Sequence, residues 1–359
     1  MSLGRLLLLT LVLIAYGSLY PWHFRSAPPG VSPFSIIEHS WPRHFDGPTV
    51  RDIAANVLLY LPVGLFGFLT FANRWAILPT LLLGFTLSTI MEFSQVFVVG
   101  RDASLMDITS DTIGTAIGAA AGLLWRGTQR RTFLRPDSIL LLVCWIFAQC
   151  FPFLPRAGTI VRGRAADALL STAAAAALVI VIDSLHVSPK RRIILLGALL
   201  LLVPLRSLIF TRSVSLLEIA GAAAVFAIAC VMQFRPAPVA LLVAIAIVIR
   251  GLAPFEFSNT PQRFSWLPFQ ASLLLEWEPA LTILLGKVFI YGVLVWLIRE
   301  SGARLTFAVG TTAILLAFIE AIQLYIPAHS AEITDPVIAV LIGWVFWSLA
   351  TPYARASSA

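Results

Sequence analysis

The sequence predicts an all-α fold, a polytopic transmembrane bundle of about 12 helices, and three observations support this class. Of its 359 residues, 59% are hydrophobic and only 12% are charged. A soluble domain carries roughly 25% charged residues, so this chain has too few polar groups to cover a surface that faces water. The apolar runs extend over about 20 residues, as membrane helices do, whereas membrane β-strands alternate over about 10. Soluble enzymes, secreted disulfide scaffolds and disordered chains are therefore excluded.

The apolar runs are separated by charged residues and by Pro and Gly, and each run is predicted as one span. The spans cover residues 4–20, 53–72, 76–98, 105–125, 138–154, 166–184, 193–210, 214–233, 238–254, 276–298, 305–326 and 333–350. The first run also has the length of a signal peptide, but no small-residue cleavage site follows it, so we expect a retained helix. Long loops are expected at 21–52 and 255–275, and segment 33–45 has the composition of a short amphipathic piece on the membrane surface.

The net charge of +7 comes from basic residues that cluster in short segments between the apolar runs. The densest clusters are Arg126–Arg135 and Lys190–Arg192. Lys and Arg concentrate in the cytoplasmic loops of membrane proteins, so these clusters predict topology and do not indicate nucleic-acid binding. We therefore expect a multi-pass protein of the cytoplasmic (inner) membrane, with both termini in the cytoplasm and Arg101 on the outer side.

Internal similarity predicts that the helices form three units of four. The segment 101–108 (RDASLMDI) aligns without gaps on 212–219 (RSVSLLEI), and a third copy covers 329–336 (HSAEITDP). The phrase after the first span, Tyr20-Pro-Trp-His-Phe24, also recurs after the fifth and the ninth spans. The predicted units are residues 1–130, 136–235 and 236–350.

Two polar residues on the third span of a unit recur unevenly. Glu92 and Gln95 of the first unit return in the third as Glu320 and Gln323. In the middle unit the place of Gln95 holds Arg206, and the acid is missing. We therefore interpret the first unit as complete, the third as partly kept and the middle one as degenerate.

Charged side chains inside the apolar runs are the main candidates for function, because each costs about 2.5–3.5 kcal/mol at the bilayer centre without a partner. Glu92 and Gln95 are three residues apart and share one helix face. Asp107 and Asp111 are four apart and share a face of the next helix. Arg101 lies in the short connection, so a hairpin would bring these groups together near the outer membrane face. With an amide from a neighbouring helix, the predicted ligand-binding residues are Asn56, Glu92, Gln95, Arg101, Asp107 and Asp111.

Structural roles for the same residues remain open at this point. Arg101 and the aspartates could form an ion-paired clamp that holds the hairpin together, and Asp107 could cap the start of its helix. Three carboxylates and one guanidinium leave a net negative charge in the cluster, which favours a site for a ligand or for protons. On the same helix, Gly114, Gly118 and Gly122 are spaced by four residues and predict the close approach of another helix.

The order of the polar residues in the first unit is distinctive. It runs Asn56, Tyr60-Leu-Pro-Val-Gly64, Glu92-Phe-Ser-Gln95, Arg101, Asp107, Asp111, Gly114 and Gly118. This order resembles the VanZ-like family, whose domain is a four-helix membrane module of bacteria. The resemblance covers residues 5–126, and residues 236–350 resemble a second, weaker copy. In that copy the places of Asn56, Arg101 and Asp111 hold other residues, namely Lys287, His329 and Ala339.

The resemblance implies a fold and a setting in the bacterial cell envelope, but no reaction. The family is named for an accessory protein of glycopeptide-antibiotic resistance, so a role of that type is one expectation. The second copy would carry a secondary cluster, formed by Glu320, Gln323, His329 and Asp335.

Three functions are compatible with the predicted cluster. The first is binding of an anionic or lipid-linked envelope amphiphile, with Arg101 on a phosphate and the carboxylates on a sugar or an amine. The second is an intramembrane lipid-modifying enzyme with Glu92 or Asp107 as general base, and the third is a proton-coupled transporter. The expected partners are membrane lipids or a lipid-linked envelope precursor, and no nucleic acid, cofactor or metal is expected.

The polar residues of the middle unit are predicted to be structural. Asp167 and Glu218 would be neutralised there by Arg206 and Arg212. The first long loop carries three histidines that lack the spacing of a metal site, namely His23, His39 and His44.

Overall fold

The protein is described by a computed structural model that covers residues 2–26, 30, 32–42, 44–71, 75–128, 135–151, 159–209 and 213–350. Residues 129–134 of the first basic cluster, the repeat phrase at 152–155 and Arg212 lie outside this description. Within it the chain forms 14 helices and one pair of short parallel strands. The helices are α1 (Ser2–Ser18), α2 (Pro33–Glu38), α3 (Gly47–Phe71), α4 (Ile77–Gln95), α5 (Leu105–Thr128), α6 (Pro136–Cys150), α7 (Ala165–Asp183), α8 (Pro189–Ile209), α9 (Leu216–Val231), α10 (Pro236–Leu252), α11 (Gln270–Leu274), α12 (Trp277–Glu300), α13 (Leu305–Gln323) and α14 (Thr334–Ala350).

The predicted all-α class is confirmed, because each predicted span contains one helix. The two additional helices, α2 and α11, are short and lie in the predicted long loops. Helix α2 falls within segment 33–45, which was expected to hold a short amphipathic piece. The strands β1 (Ile160–Val161) and β2 (Val214–Ser215) pair in parallel, with Ile160 opposite Val214.

Several helices have the length and composition of membrane spans. In the described part of the chain these are α3, α4, α7, α12 and α13, while α1, α6, α9, α10 and α14 are shorter apolar helices. The protein is therefore a helical membrane protein. The number of helices that cross the bilayer, the inner membrane as its location and the cytoplasmic termini stay predictions.

The chain divides into two compact units, an N-terminal unit within residues 1–133 and a C-terminal unit over residues 134–350. The N-terminal unit contains α1 to α5 and corresponds to the first predicted unit. The predicted boundary near residue 236 falls inside the C-terminal unit, so the division into three units stays a prediction.

In the N-terminal unit, α3 and α5 pack with their backbones in contact. A Cβ atom at Gly118 would lie 2.0 Å from the carbonyl oxygen of Leu61, and one at Gly114 would lie 2.3 Å from that of Val57. No side chain fits at either place, so the glycines are what permits this distance between the helices. The predicted small-residue contact is thus present.

The core of the C-terminal unit is built around α7 and α12. Residues 173 and 175–182 of α7 are buried, as is the continuous run 289–297 of α12. A helix that is apolar and buried all round is enclosed by other helices rather than lying at the surface. The polar residues of this unit therefore have to meet inside a protein interior, where they need partners.

Candidate functional site

The six residues predicted as a cluster line one cavity of about 310 Å³ in the N-terminal unit. Helices α3, α4 and α5, the last turn of α1 and the connection between α4 and α5 form its wall. The structure therefore brings together every member of the predicted set, although ligand binding itself stays a prediction. The set comprises Asn56, Glu92, Gln95, Arg101, Asp107 and Asp111.

Glu92 lies on α4 and fixes the start of α5. Its Oε2 atom accepts a hydrogen bond of 2.7 Å from the backbone N–H of Ser104, and its side chain is almost fully buried. The Ser104 hydroxyl in turn accepts from the backbone N–H groups of Met106 and Asp107, as an N-terminal cap does. The cap expected from Asp107 is thus supplied by Ser104, which leaves the Asp107 carboxylate available to the cavity.

Arg101 binds the end of α1 and not a carboxylate. Its Nε donates to the carbonyl oxygen of Tyr20 and its Nη2 to that of Gly17, both at 2.9 Å. Gln95 adds a bond of 3.3 Å to the carbonyl oxygen of Ser18. The last carbonyls of a helix lack partners within the helix and attract positive charge, so Arg101 satisfies both needs.

The ion-paired clamp considered for Arg101 is not formed. Among the described residues, no salt bridge joins its guanidinium to Glu92, Asp107 or Asp111. The Nε and Nη2 atoms of the guanidinium instead bind the carbonyl oxygens of Tyr20 and Gly17. The carboxylates of the cavity are therefore left without a paired cation.

Asp111 and Tyr60 form the buried end of the cavity. Oδ2 of Asp111 accepts a 2.6 Å hydrogen bond from the hydroxyl of Ser88 on α4. Tyr60 lies close enough to Asp111 for the two side chains to interact. The Tyr60 hydroxyl and the Oδ1 atom of Asp111 are nevertheless both buried, and neither has a partner at hydrogen-bond geometry among the described residues. Such groups are rare in folded proteins because each costs the free energy of its lost hydration.

Asp107 occupies the more open part of the cavity. It is partly buried, and it interacts with the amide of Asn56 and the carboxylate of Asp52. The exposed Asp102 also lines the cavity. The wall is therefore rich in hydrogen-bond acceptors, and Arg101 is the one cation among the described residues that line it. Two of its five N–H donors bind the carbonyl oxygens of Tyr20 and Gly17.

The sequence reasoning missed several polar groups of this site. Tyr60 entered only as part of the resemblance, although it lies one helical turn after Asn56 and so shares its face. Ser88 precedes Glu92 by one turn in the same way. The role of Ser104 was assigned to Asp107, because a serine and an aspartate near a helix start are equally good caps on sequence grounds.

Residues 5–126 match the model of the VanZ/LLP1 family. The match covers the N-terminal unit with its cavity and confirms the resemblance that the order of polar residues predicted. No curated protein and no solved structure matches the chain. The chain thus contains a VanZ-like unit, followed by a second unit that the family match does not cover.

The secondary cluster of the C-terminal unit repeats the hydrogen bonds of the VanZ-like unit. Oε2 of Glu320 accepts 2.8 Å from the backbone N–H of Glu332, as Glu92 does from Ser104. Gln323 donates to the carbonyl oxygen of Gly251 at 2.7 Å, which corresponds to the bond from Gln95 to the end of α1. The ring of His329 donates to the carbonyl oxygen of Ala253 at 2.5 Å, in the place of Arg101.

Asp335 differs from its counterpart Asp107 in having two strong donors. Nζ of Lys287 lies 2.5 Å from Oδ1, and the Tyr291 hydroxyl lies 2.5 Å from Oδ2. Lys287 stands where the VanZ-like unit has Asn56, so an amide contact has become an ion pair. The predicted secondary cluster therefore lies together, lining a separate cavity of about 610 Å³. Its members are Glu320, Gln323, His329 and Asp335.

Proposed function

We propose that the VanZ-like unit binds the polar headgroup of a lipid-linked envelope amphiphile, and that the headgroup enters the 310 Å³ cavity through hydroxyl or amine donors. The observation that carries this proposal is the surplus of acceptors at one end of the cavity. Asp111 keeps one buried oxygen without a donor, and Glu92 uses only one of its two oxygens. A ligand that supplies N–H or O–H groups would satisfy them.

The role first predicted for Arg101, as the binder of a phosphate, is not the one we propose. Nε and Nη2 of Arg101 bind the carbonyl oxygens of Tyr20 and Gly17, which holds the guanidinium against the end of α1. An anion in this cavity would also meet Glu92 and Asp107 with little compensation. We therefore assign the cavity to the sugar or amino part of the headgroup and give Arg101 a positioning role.

The surroundings of the cavity support an amphiphile rather than a water-soluble ligand. Leu13 and Leu59 line the cavity, and their side chains are 40% and 44% exposed. In a membrane helix such exposed leucines face lipid, so the cavity would open towards the acyl chains. A volume of about 310 Å³ is small for a binding pocket and suits one sugar or amino-alcohol group with its chain outside.

The test is to identify the lipids that copurify with the full chain by mass spectrometry. We expect a lipid with a sugar or amino headgroup on the wild type and its loss from Asp107→Asn and Asp111→Asn. Glu38→Gln, an exposed acid of α2, is the matched control and should retain the lipid. The same lipids on all four proteins would contradict the proposal.

The same purified protein also tests the two other functions that the sequence left open, an enzyme and a transporter. Chemical conversion of the added lipid, lost in Glu92→Gln or Asp107→Asn, would favour the intramembrane enzyme. Movement of lipid coupled to protons in reconstituted vesicles would favour the transporter. If the bound lipid is a cell-wall precursor, a role of the glycopeptide-resistance type would follow from its sequestration.

A further inference from the structure

The C-terminal unit contains a cavity whose chemistry differs from that of the VanZ-like cavity. It has a volume of about 610 Å³, close to twice that of the other. Helices α6 to α9 contribute to its wall as well as α10, α12, α13 and α14. Three residues that were predicted to be structural in the middle unit therefore face a cavity, namely Asp167, Arg206 and Glu218. Three ion pairs lie along this wall: Arg206 with Glu218, Arg250 with Asp167 and Lys287 with Asp335.

The ion pairs differ in how much hydrogen-bonding capacity they leave unused. Both terminal nitrogens of Arg206 are used, because Nη1 binds the side-chain oxygen of Gln149 and Nη2 binds Glu218. Its buried Nε has no partner among the described residues, so a single N–H donor is left on this side chain. Arg250 binds Asp167 through Nε alone, and no described residue accepts from its two terminal nitrogens. Lys287 donates only to Asp335. Spare cationic donors therefore remain on Arg250 and Lys287, which both lie near the Tyr291 hydroxyl.

Spare acceptors face the same cavity. Asp167 contacts Arg250 through Oδ1, and no described donor reaches its Oδ2. Glu320 accepts through Oε2 from the backbone of Glu332, and its Oε1 has no donor. Asp335 has one donor on each of its oxygens, namely Lys287 and Tyr291. The cavity thus presents unused groups of both signs.

We propose that this cavity binds a zwitterionic headgroup made of a phosphodiester and a primary amine. The terminal nitrogens of Arg250 can hold two phosphate oxygens side by side, and Lys287 adds a point charge. Asp167 and Glu320 are the acceptors for the ammonium group. A headgroup of this kind brings no net charge into the membrane interior, where an uncompensated charge is costly.

The mouth of the cavity favours a lipid as the source of this headgroup. Ile283 of α12 lines the cavity, and its side chain is 44% exposed. An acyl chain leaving the cavity would lie along such a side chain. The proposal does not rest on the function proposed for the VanZ-like unit, because it concerns other residues in another cavity.

The first measurement compares lipids on the wild-type full chain in detergent by native mass spectrometry. We expect phosphatidylethanolamine to bind about tenfold more tightly than phosphatidylglycerol, which has the phosphodiester but no amine. Equal binding of the two would overturn the proposal, and this comparison does not depend on the folding of any variant. Soluble glycerophosphoethanolamine has the same headgroup without acyl chains, so it shows whether the ligand is a lipid or a free phosphodiester. Binding as tight as that of the lipid would support the same headgroup chemistry with a soluble ligand.

The second measurement uses Arg250→Gln, with Arg304→Gln as the control. Arg304 is an exposed arginine of the same unit that does not line the cavity. We expect Arg250→Gln to weaken phosphatidylethanolamine binding by about tenfold and the control to leave it unchanged. The Arg250 and Asp167 side chains are 42% and 36% exposed, so the melting temperature without lipid should change little. Unchanged binding in folded Arg250→Gln would overturn this proposal. It would not affect the function proposed for the VanZ-like cavity, which depends on Asp107 and Asp111.

Discussion

At the scale of single residues, the role of Arg101 is decided by which atoms its guanidinium faces. Its two observed partners are backbone carbonyls at 2.9 Å, that of Gly17 in the last turn of α1 and that of Tyr20 just beyond it. Losing Arg101 would leave the carbonyls of Gly17 and Tyr20 without these donors at a partly buried site, which costs about 1–3 kcal/mol. The residue therefore acts on the site by holding α1 against the connection before α5.

This account predicts that Arg101→Ala lowers the melting temperature in detergent and that Arg101→Lys lowers it less. Lysine keeps the positive charge at the end of α1 but cannot hold two separated carbonyls with a planar fork. Arg25→Ala removes an exposed arginine of the first loop and should melt like the wild type. A folded Arg101→Ala protein of wild-type stability that fails to bind lipid would show that Arg101 contacts the ligand directly.

The two tyrosines at corresponding positions give a matched pair of predictions. Tyr60 has a buried hydroxyl without a partner, whereas the Tyr291 hydroxyl donates to Asp335 at 2.5 Å. Tyr60→Phe should therefore leave stability unchanged or raise it, and Tyr291→Phe should cost about 1–3 kcal/mol. Thermal or denaturant unfolding of the two variants checks this, and a larger loss in Tyr60→Phe would contradict the assignment.

The candidate site could be predicted from sequence as far as helix periodicity reaches. Spacings of three and four residues placed Glu92 beside Gln95 and Asp107 beside Asp111, and all of them line one cavity. The partners of Arg101 could not be predicted in this way. They are backbone oxygens at the end of α1. Every residue type has a backbone carbonyl, so the sequence does not show which carbonyl accepts a hydrogen bond.

At the scale of helices, apolar runs predicted the elements well because each span must bury its own backbone groups in lipid. The ends were less accurate where charged residues continue a helix. The span predicted at 193–210 begins at Pro189, so Lys190–Arg192 form its first turn. Arg192 is held there by an ion pair with Asp183 at the end of α7.

The contact between α3 and α5 predicts a large effect of adding one methyl group. In Gly118→Ala the new Cβ would lie 2.0 Å from the carbonyl oxygen of Leu61, so the helices must separate. We expect a loss of about 1–3 kcal/mol of unfolding free energy, as for overpacking of a core. Gly310→Ala on α13 is the control, because no atom lies within 4 Å of its new Cβ and alanine favours helix. Equal stability of the two variants would contradict the close packing.

At the scale of the whole molecule, the basic clusters predict on which side of the membrane each connection lies. With the native cysteines replaced, a cysteine at Asp102 should react with an impermeant thiol reagent added to intact cells. A cysteine at Lys190 should react only after the cells are opened. Both positions are exposed, so access of the reagent and not burial decides the result. The reverse pattern would invert the predicted topology and place the acidic cavity at the inner face.

The two units share a pattern of hydrogen bonds around helices α4 and α13. The bonds of Glu92 and Gln95 recur with Glu320 and Gln323, and the internal repeat stays a prediction. The sequence showed this as a spacing, but it did not show that Arg206 of the middle segment faces the same cavity as Glu320. Hydropathy and spacing describe one helix at a time, whereas a cavity depends on how several helices meet.

The central claim is that the carboxylates of the VanZ-like cavity accept hydrogen bonds from a lipid headgroup. The most direct measurement is the affinity of the copurified lipid for delipidated wild type, Asp111→Asn and the Glu38→Gln control. We predict that Asp111→Asn binds about tenfold more weakly, because it loses a charged acceptor at the buried end, while the control binds like the wild type. Equal affinity in a folded Asp111→Asn protein would contradict the claim and leave the acidic cluster with a purely structural role.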